Sequence, residues 1–213
     1  MKLLFAAIAA FVLLLLWRRW RQRATAINSF PYAGFLDQRL AQRRPELSEA
    51  QRAEVLAGLQ DYFHLCRSAG RRIVAMPSQV VDDAWHEFIL FTRHYQKFCR
   101  LAFGRFLQHT PAEAMRSPTD AGDGIKRAWR LACAREGIDP QNPSRLPRLF
   151  ALDAQFGIAG GFVYSLNCMA LGASGNGSYC ASHIGCSSGC SGDSGSSDSD
   201  GGVDGGSGGC GGD

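Results

Sequence analysis

The sequence predicts an all-α protein, in which a compact bundle of five or six helices follows one N-terminal apolar helix and precedes a disordered tail. Three observations support this prediction. Apolar residues recur at helical spacing between residues 35 and 155. Capping residues and glycines divide that stretch at short intervals. From residue 172 onward, 15 of the 42 residues are glycine, 11 are serine and five are aspartate, which leaves almost nothing apolar to bury.

The chain begins with 15 consecutive apolar residues, Leu3 to Trp17, which lie between Lys2 and four closely spaced arginines. This run predicts a single-pass membrane anchor over residues 1 to 23, because tryptophan favours the membrane interface and arginine extends toward water. The arginine excess after the run predicts that the rest of the chain is cytoplasmic. The alternative is a cleaved secretory signal, since Ala24-Thr25-Ala26 has the form of a cleavage site.

A helical domain is predicted over residues 35 to 171, joined to the anchor by a juxtamembrane linker over residues 24 to 34. Ser48 and Gln51 match a capping box, and Gly70 is a natural helix terminator. The predicted elements are helices over residues 35–43, 48–68, 79–103, 120–136 and 145–155, a capping box at 110–113, and a strand or closing loop over 157–169.

The longest predicted helix runs from Gln79 to Phe103 and places its apolar residues on one face. Trp85 and Trp129 are predicted to pack in the core, and His64, near the apolar face of its helix, is interpreted as a structural or boundary histidine rather than a ligand. Cysteines at positions 66, 99 and 133 also fall on inward faces and are interpreted as buried thiols. The opposite, polar face of the long helix contains Asp82, Asp83, His86, Glu87, Arg93, His94, Lys97 and Arg100.

The polar face also contains candidate metal ligands. Asp82 and Asp83 lie four and three residues before His86, so their side chains project on the same side of the helix. Carboxylates and imidazoles bind divalent ions such as zinc, manganese and iron, and an ion with an open coordination position activates water. We therefore predict a metal site of Asp83, His86 and His109, within a binding set that adds Asp82 and Glu87.

One geometric argument opposes this site. A helix rises 1.5 Å per residue, which places His86 about 25 Å from the helix end at Phe103. The turn that contains His109 must therefore fold far back along the helix. The alternative interpretation is a solvated or partner-facing surface.

The tail contains a second candidate metal site with the pattern Cys180-x2-His183-x2-Cys186-x3-Cys190. These ligand types and spacings are compatible with zinc. The alternative is that the cysteines are incidental, or that they form disulfides if the domain is extracytoplasmic.

The sequence resembles the glycine-rich domain-containing proteins, in particular an uncharacterised, membrane-anchored bacterial group. The residues that carry the resemblance are Asp83-x-Trp85-His86, Tyr95, Phe103-Gly104-x-Phe106, His109-x-Pro111, Leu146-Pro147, Leu149 to Asp153 and Gly157-Ile158-x-Gly160-Gly161. The resemblance spans about residues 70 to 170 and implies no particular activity.

Charge is distributed unevenly. All 23 lysines and arginines lie at or before Arg148, together with 13 of the 19 acidic residues, so a body of charge +10 precedes a segment of charge −6. The arginines are dispersed over several helices, so nucleic acid is not the expected partner. The leading interpretation is a membrane-anchored binding or scaffolding module with a protein partner. The alternative is a metal-dependent enzyme or metal-handling protein.

Overall fold

The computed structural model describes residues 2–109, 118–166, 178–180 and 184. In this part of the chain six helices follow the N-terminal helix, so the predicted all-α class is confirmed. The elements are α1 (Lys2–Ser29), α2 (Ala33–Arg43), α3 (Glu49–Ala69), α4 (Gln79–Leu90), α5 (Thr92–Ala102), α6 (Pro118–Glu136), α7 (Arg148–Gln155), β1 (Val163–Ser165) and β2 (Ser178–Cys180). The two strands pair in parallel, with Val163 opposite Ser178.

Helix α1 continues without a break to Ser29, so most of the predicted linker is helical. Its C-terminal end joins the domain, since Ile27 is fully buried and Tyr32 is buried just beyond the helix. The described side chains before Ala24 are exposed. Within the described ranges, no helix has both the length and the apolar character needed to cross a membrane, so the predicted transmembrane helix is unsupported.

Local signals place several helix ends where the sequence predicts them. The Oγ atom of Ser48 accepts a 3.3 Å hydrogen bond from the Gln51 backbone N–H, and the Gln51 side chain accepts a 2.9 Å bond from the Ser48 N–H. The capping box is thus complete. Gly70 and Gly137 follow α3 and α6 with φ values of 67° and 66°, a conformation that favours glycine. Helix α7 begins after Pro147, later than predicted.

Two other predicted helix starts have different outcomes. The capping box predicted at residues 110–113 lies outside the described residues. Helix α6 begins at Pro118, two residues before the predicted start at residue 120.

The prediction of one helix over residues 79–103 is wrong, because the chain bends at Phe91 between α4 and α5. Phe91 has φ −81° and ψ 58°, which is not helical. The Phe35 ring of α2 lies 4.8 Å from the Phe91 ring and 5.3 Å from the His94 ring, measured between centroids. An aromatic contact from α2 therefore covers a bend that no glycine or proline marks in the sequence.

An aromatic cluster forms the centre of the core. The Phe63 and Phe98 rings are 4.7 Å apart, and Phe88 lies 5.2 Å from Phe98. Trp85 and Trp129 are buried as predicted, and His64 is buried as well. Cys66, Cys99 and Cys133 are buried free thiols, also as predicted. Burial raises the pKa of Cys66 to about 12 and that of Cys133 to about 11.

A buried carboxylate on α7 fixes the first turn of α4. Asp153 is 3% exposed. Its Oδ1 accepts hydrogen bonds from Ser78 Oγ at 2.7 Å and from the Val80 N–H at 3.1 Å. Its Oδ2 accepts from the N–H groups of Gln79 at 2.6 Å and Phe162 at 2.8 Å. A negative charge at a helix N-terminus is also favoured by the helix dipole. The start of the helix that carries Asp82 and His86 is thus fixed by a side chain of α7.

Candidate metal centre

Three polar side chains meet between α4 and the segment that follows α5. Asp82, His86 and His109 each offer one ligand atom, and these atoms lie within 4.8 Å of one another. His109 Nε2 is 2.8 Å from Asp82 Oδ1, and His86 Nδ1 is 3.5 Å from Asp82 Oδ2. The centroids of the two imidazole rings are 4.4 Å apart. The structure therefore brings His86 and His109 together, with Asp82 rather than Asp83 as their carboxylate. We call this group the Asp82–His86–His109 cluster.

The return segment, residues 103–109, brings His109 back to α4. Gly104 begins the reversal with φ 69°. Leu107 is buried, and its carbonyl accepts a 2.6 Å hydrogen bond from the Tyr95 hydroxyl. The rise of about 25 Å expected from His86 to Phe103 along a straight helix therefore does not keep His109 away from His86. The helix bends at Phe91, and the return segment then runs back alongside α5.

Tyr95 connects the return segment to α4. The Trp85 indole N–H donates a 3.1 Å hydrogen bond to the Tyr95 hydroxyl oxygen, while the same hydroxyl donates to Leu107. Burial raises the pKa of Tyr95, so the hydroxyl keeps its proton. The Phe106 ring packs edge-on against Tyr95 at 5.3 Å, and the Trp85 ring lies 4.4 Å from the His109 ring. These contacts fix both sides of the cluster.

Asp83 and Glu87, predicted on an open polar face, are buried against α2 instead, with 2% and 7% exposure. Asp83 accepts hydrogen bonds from Arg43 Nη2 at 3.0 Å and Arg44 Nε at 2.7 Å. Glu87 accepts one from Arg39 Nε at 2.8 Å. Asp83 therefore lies outside the cluster, because two guanidinium groups occupy its carboxylate. A sequence signal exists for this pairing, since two arginines four residues apart in α2 face two acids four residues apart in α4.

The cluster is accessible from one side. The side chain of His86 is 43% exposed, compared with 19% for Asp82 and 12% for His109. A tetrahedral ion with bonds of about 2.0 Å holds its ligand atoms about 3.3 Å apart, so small side-chain movements complete the site. In the described state the 2.8 Å contact between His109 and Asp82 is a hydrogen bond. A cation bound between the two side chains would take the place of that hydrogen, which a neutral imidazole can carry on Nδ1 instead.

The predicted tail site is not described as a unit. Ser178–Cys180 form β2, and the predicted disorder of the tail stays a prediction. His183, Cys186 and Cys190 lie outside the described residues, and the tail metal site stays a prediction.

The fold and the cluster define an all-α protein with a two-histidine, one-carboxylate candidate metal centre. The model of the UCP032817-like family matches residues 22–184, and the chain belongs to this family of uncharacterised function. The match includes all the residues on which the resemblance to glycine-rich domain-containing proteins depends, while that finer resemblance stays a prediction. No curated protein and no solved structure gives a significant match.

Proposed function

We propose that this domain binds a divalent transition-metal ion through Asp82, His86 and His109. The observation that supports the proposal is the convergence of their three ligand atoms within 4.8 Å. Two imidazoles and one carboxylate suit zinc, iron and manganese. Three protein ligands leave at least one coordination position for water or for a small oxygen ligand from solution. Such an ion would lower the pKa of a bound water, which makes hydrolytic chemistry the first activity to screen.

Metal titration of the full-length, untagged chain tests this proposal. The five cysteines from residue 168 onward are replaced by serine so that this part of the chain contributes no thiolate: Cys168, Cys180, Cys186, Cys190 and Cys210. Cobalt(II) is added as the probe and followed by its visible absorption, and zinc then competes with it. We expect one ion per chain. His86→Ala and His109→Ala should each weaken binding by about 100-fold or more, since they remove a direct ligand and even outer partners alter affinity by about 10- to 100-fold.

His94→Ala is the matched control. His94 is an exposed histidine on α5 outside the cluster, so its loss should leave metal affinity unchanged. Far-UV circular dichroism of each variant verifies the fold. The proposal is wrong if His86→Ala and His109→Ala, correctly folded, bind cobalt as tightly as the parent chain.

We also propose that α1 associates with a lipid surface. Its apolar side chains are exposed, with Phe5 at 69%, Leu13 at 66% and Trp20 at 56%. Arginines at positions 18, 19, 21 and 23 follow the apolar run, and they complement anionic headgroups. Flotation of the full-length chain with phosphatidylcholine–phosphatidylglycerol vesicles tests this. Replacing the four leucines at positions 13 to 16 by serine should abolish flotation. A parent chain that remains in the aqueous fraction would contradict the proposal.

A further inference from the structure

Arg67 on α3 is a partly exposed cation that has no anionic partner among the residues the structure describes. Its Nε and Nη1 atoms are buried and have no hydrogen-bond partner among the described residues. None of the salt bridges in the described part of the chain includes Arg67. The Trp20 ring of α1 covers its guanidinium at 4.4 Å, measured to the ring centroid. Buried polar groups normally have partners, so these two donors need an explanation.

The surroundings of Arg67 are cationic. Burial lowers the pKa of the Arg67 guanidinium, and the positive charge of Arg135 on α6 lowers it further. His64, one turn earlier on α3, is 4% exposed and has an unpartnered Nδ1. Its Nε2 is 2.7 Å from Asn28 Oδ1 of α1. Burial, Arg135 and Arg67 together lower the pKa of His64 to about 4. Asp61, the carboxylate beside Arg135, is occupied by Arg135 at 2.8 Å and Arg148 at 3.0 Å.

An oxyanion would supply the hydrogen-bond acceptors and the negative charge that Arg67 lacks among the described residues. A guanidinium presents its N–H groups as a fixed fork that matches phosphate oxygens, and such charge-assisted bonds are stronger than neutral ones. Two neighbouring arginines favour a group that carries about two negative charges, as a phosphate monoester does near pH 7. Arg67 remains partly exposed, so a small anion has access to it from solvent.

We propose that Arg67, supported by Arg135, forms a binding site for a phosphate group between α1, α3 and α6. The site is separate from the Asp82–His86–His109 cluster and does not depend on a metal ion. The phosphate belongs either to a free ion or to a lipid headgroup. A lipid source agrees with the position of Trp20, which precedes two arginines of α1 and contacts Arg67.

Thermal unfolding of the full-length chain in the presence of inorganic phosphate tests the site itself. Sodium phosphate replaces sodium chloride at constant ionic strength and pH 7. We expect saturable stabilisation, with a rise in Tm of about 4 °C. Arg67→Met should abolish this rise without lowering Tm in chloride, because it removes an unpaired charge. Arg67→Lys keeps the charge but loses the fork, and should show a smaller rise.

Arg93→Met is the matched control, because Arg93 is exposed on α5 and should not affect the response to phosphate. The proposal is wrong if phosphate stabilises the parent chain no more than chloride does. It is equally wrong if Arg67→Met and Arg67→Lys both keep the full rise.

Vesicle flotation then identifies the source of the phosphate. Phosphatidylcholine vesicles with and without phosphatidic acid are compared for the parent chain, Arg67→Met and Arg93→Met. A lipid-headgroup site predicts about tenfold weaker binding to phosphatidic acid vesicles for Arg67→Met alone. If the parent chain and Arg67→Met bind the vesicles equally, while phosphate raises the Tm of the parent chain but not that of Arg67→Met, the site is assigned to free phosphate. If the α1 variant with serine at residues 13 to 16 loses lipid binding, the phosphate-dependent rise in Tm should still be present. The proposal that α1 binds lipid and the proposal that Arg67 binds phosphate therefore fail independently.

Discussion

Removing the carboxylate of Asp153 should destabilise the domain strongly. Asp153→Ala leaves four donors without their acceptor, and the hydrogen bonds from Ser78 Oγ and the Val80 N–H are fully buried. A buried donor without a partner costs about 1–3 kcal/mol, so these two alone give a loss of about 4 kcal/mol. Domains are typically stable by about 5–15 kcal/mol, so the expected loss is a large fraction of the total.

Urea unfolding followed by far-UV circular dichroism measures this loss. Asp153→Asn keeps the shape and one acceptor oxygen but directs an NH2 group at the remaining donors, so its loss should be intermediate. Asp139→Ala is the control, because that carboxylate accepts one exposed hydrogen bond, from the Gln141 N–H at 2.9 Å. Its effect should be about 0.5 kcal/mol. Equal losses for Asp153→Ala and Asp139→Ala, with unchanged m values, would refute the argument that Asp153 stabilises the domain through the first turn of α4.

Three further predictions follow from buried polar groups. Folding lowers the pKa of His64 from 6.5 to about 4, so between these pH values the native state binds fewer protons than the unfolded state. The free energy of unfolding should therefore decrease by about 2 kcal/mol from pH 7 to pH 4.5. Urea unfolding of His64→Gln in phosphate-free buffer should show a flatter pH profile, and an identical profile would contradict the argument. Tyr95→Phe should weaken cobalt binding about tenfold by loosening the return segment. The matched change Tyr62→Phe, which removes a buried 2.8 Å bond to the Val74 carbonyl, should lower stability without changing cobalt affinity. The buried thiols Cys66, Cys99 and Cys133 should resist alkylation until the chain unfolds, and peptide mass spectrometry should detect modification only in urea.

The sequence predicts those features that local chemistry determines. Ser48 and Gln51 form the predicted capping box, and Gly70 ends α3, because each acts within a few residues of the chain. The apolar period also identifies the buried face of α4, including Trp85 and Phe88. These features need no knowledge of which helices become neighbours.

The remaining features depend on contacts between distant segments. Periodicity continues through Phe91, so the bend there is not visible without Phe35 of α2. Asp82 and Asp83 are adjacent and equally plausible ligands in the sequence. Arg43 at the end of α2 and the following Arg44 bind Asp83, and the packing of α2 on α4 thereby leaves Asp82 as the available carboxylate. The sequence predicts His109 as a candidate ligand, but only the return segment shows how it reaches His86.

Tyr95 explains how that route produces a defined cluster. Its single hydroxyl accepts a hydrogen bond from Trp85 and donates one to Leu107, so α4 and the return segment meet at one point. Trp85 immediately precedes His86, and Leu107 lies two residues before His109. The positions of the two imidazoles are therefore both set within two residues of the same hydroxyl. Because Tyr95 is on α5, the bend at Phe91 is part of the metal-site geometry: it orients α5 so that one side chain can reach both segments.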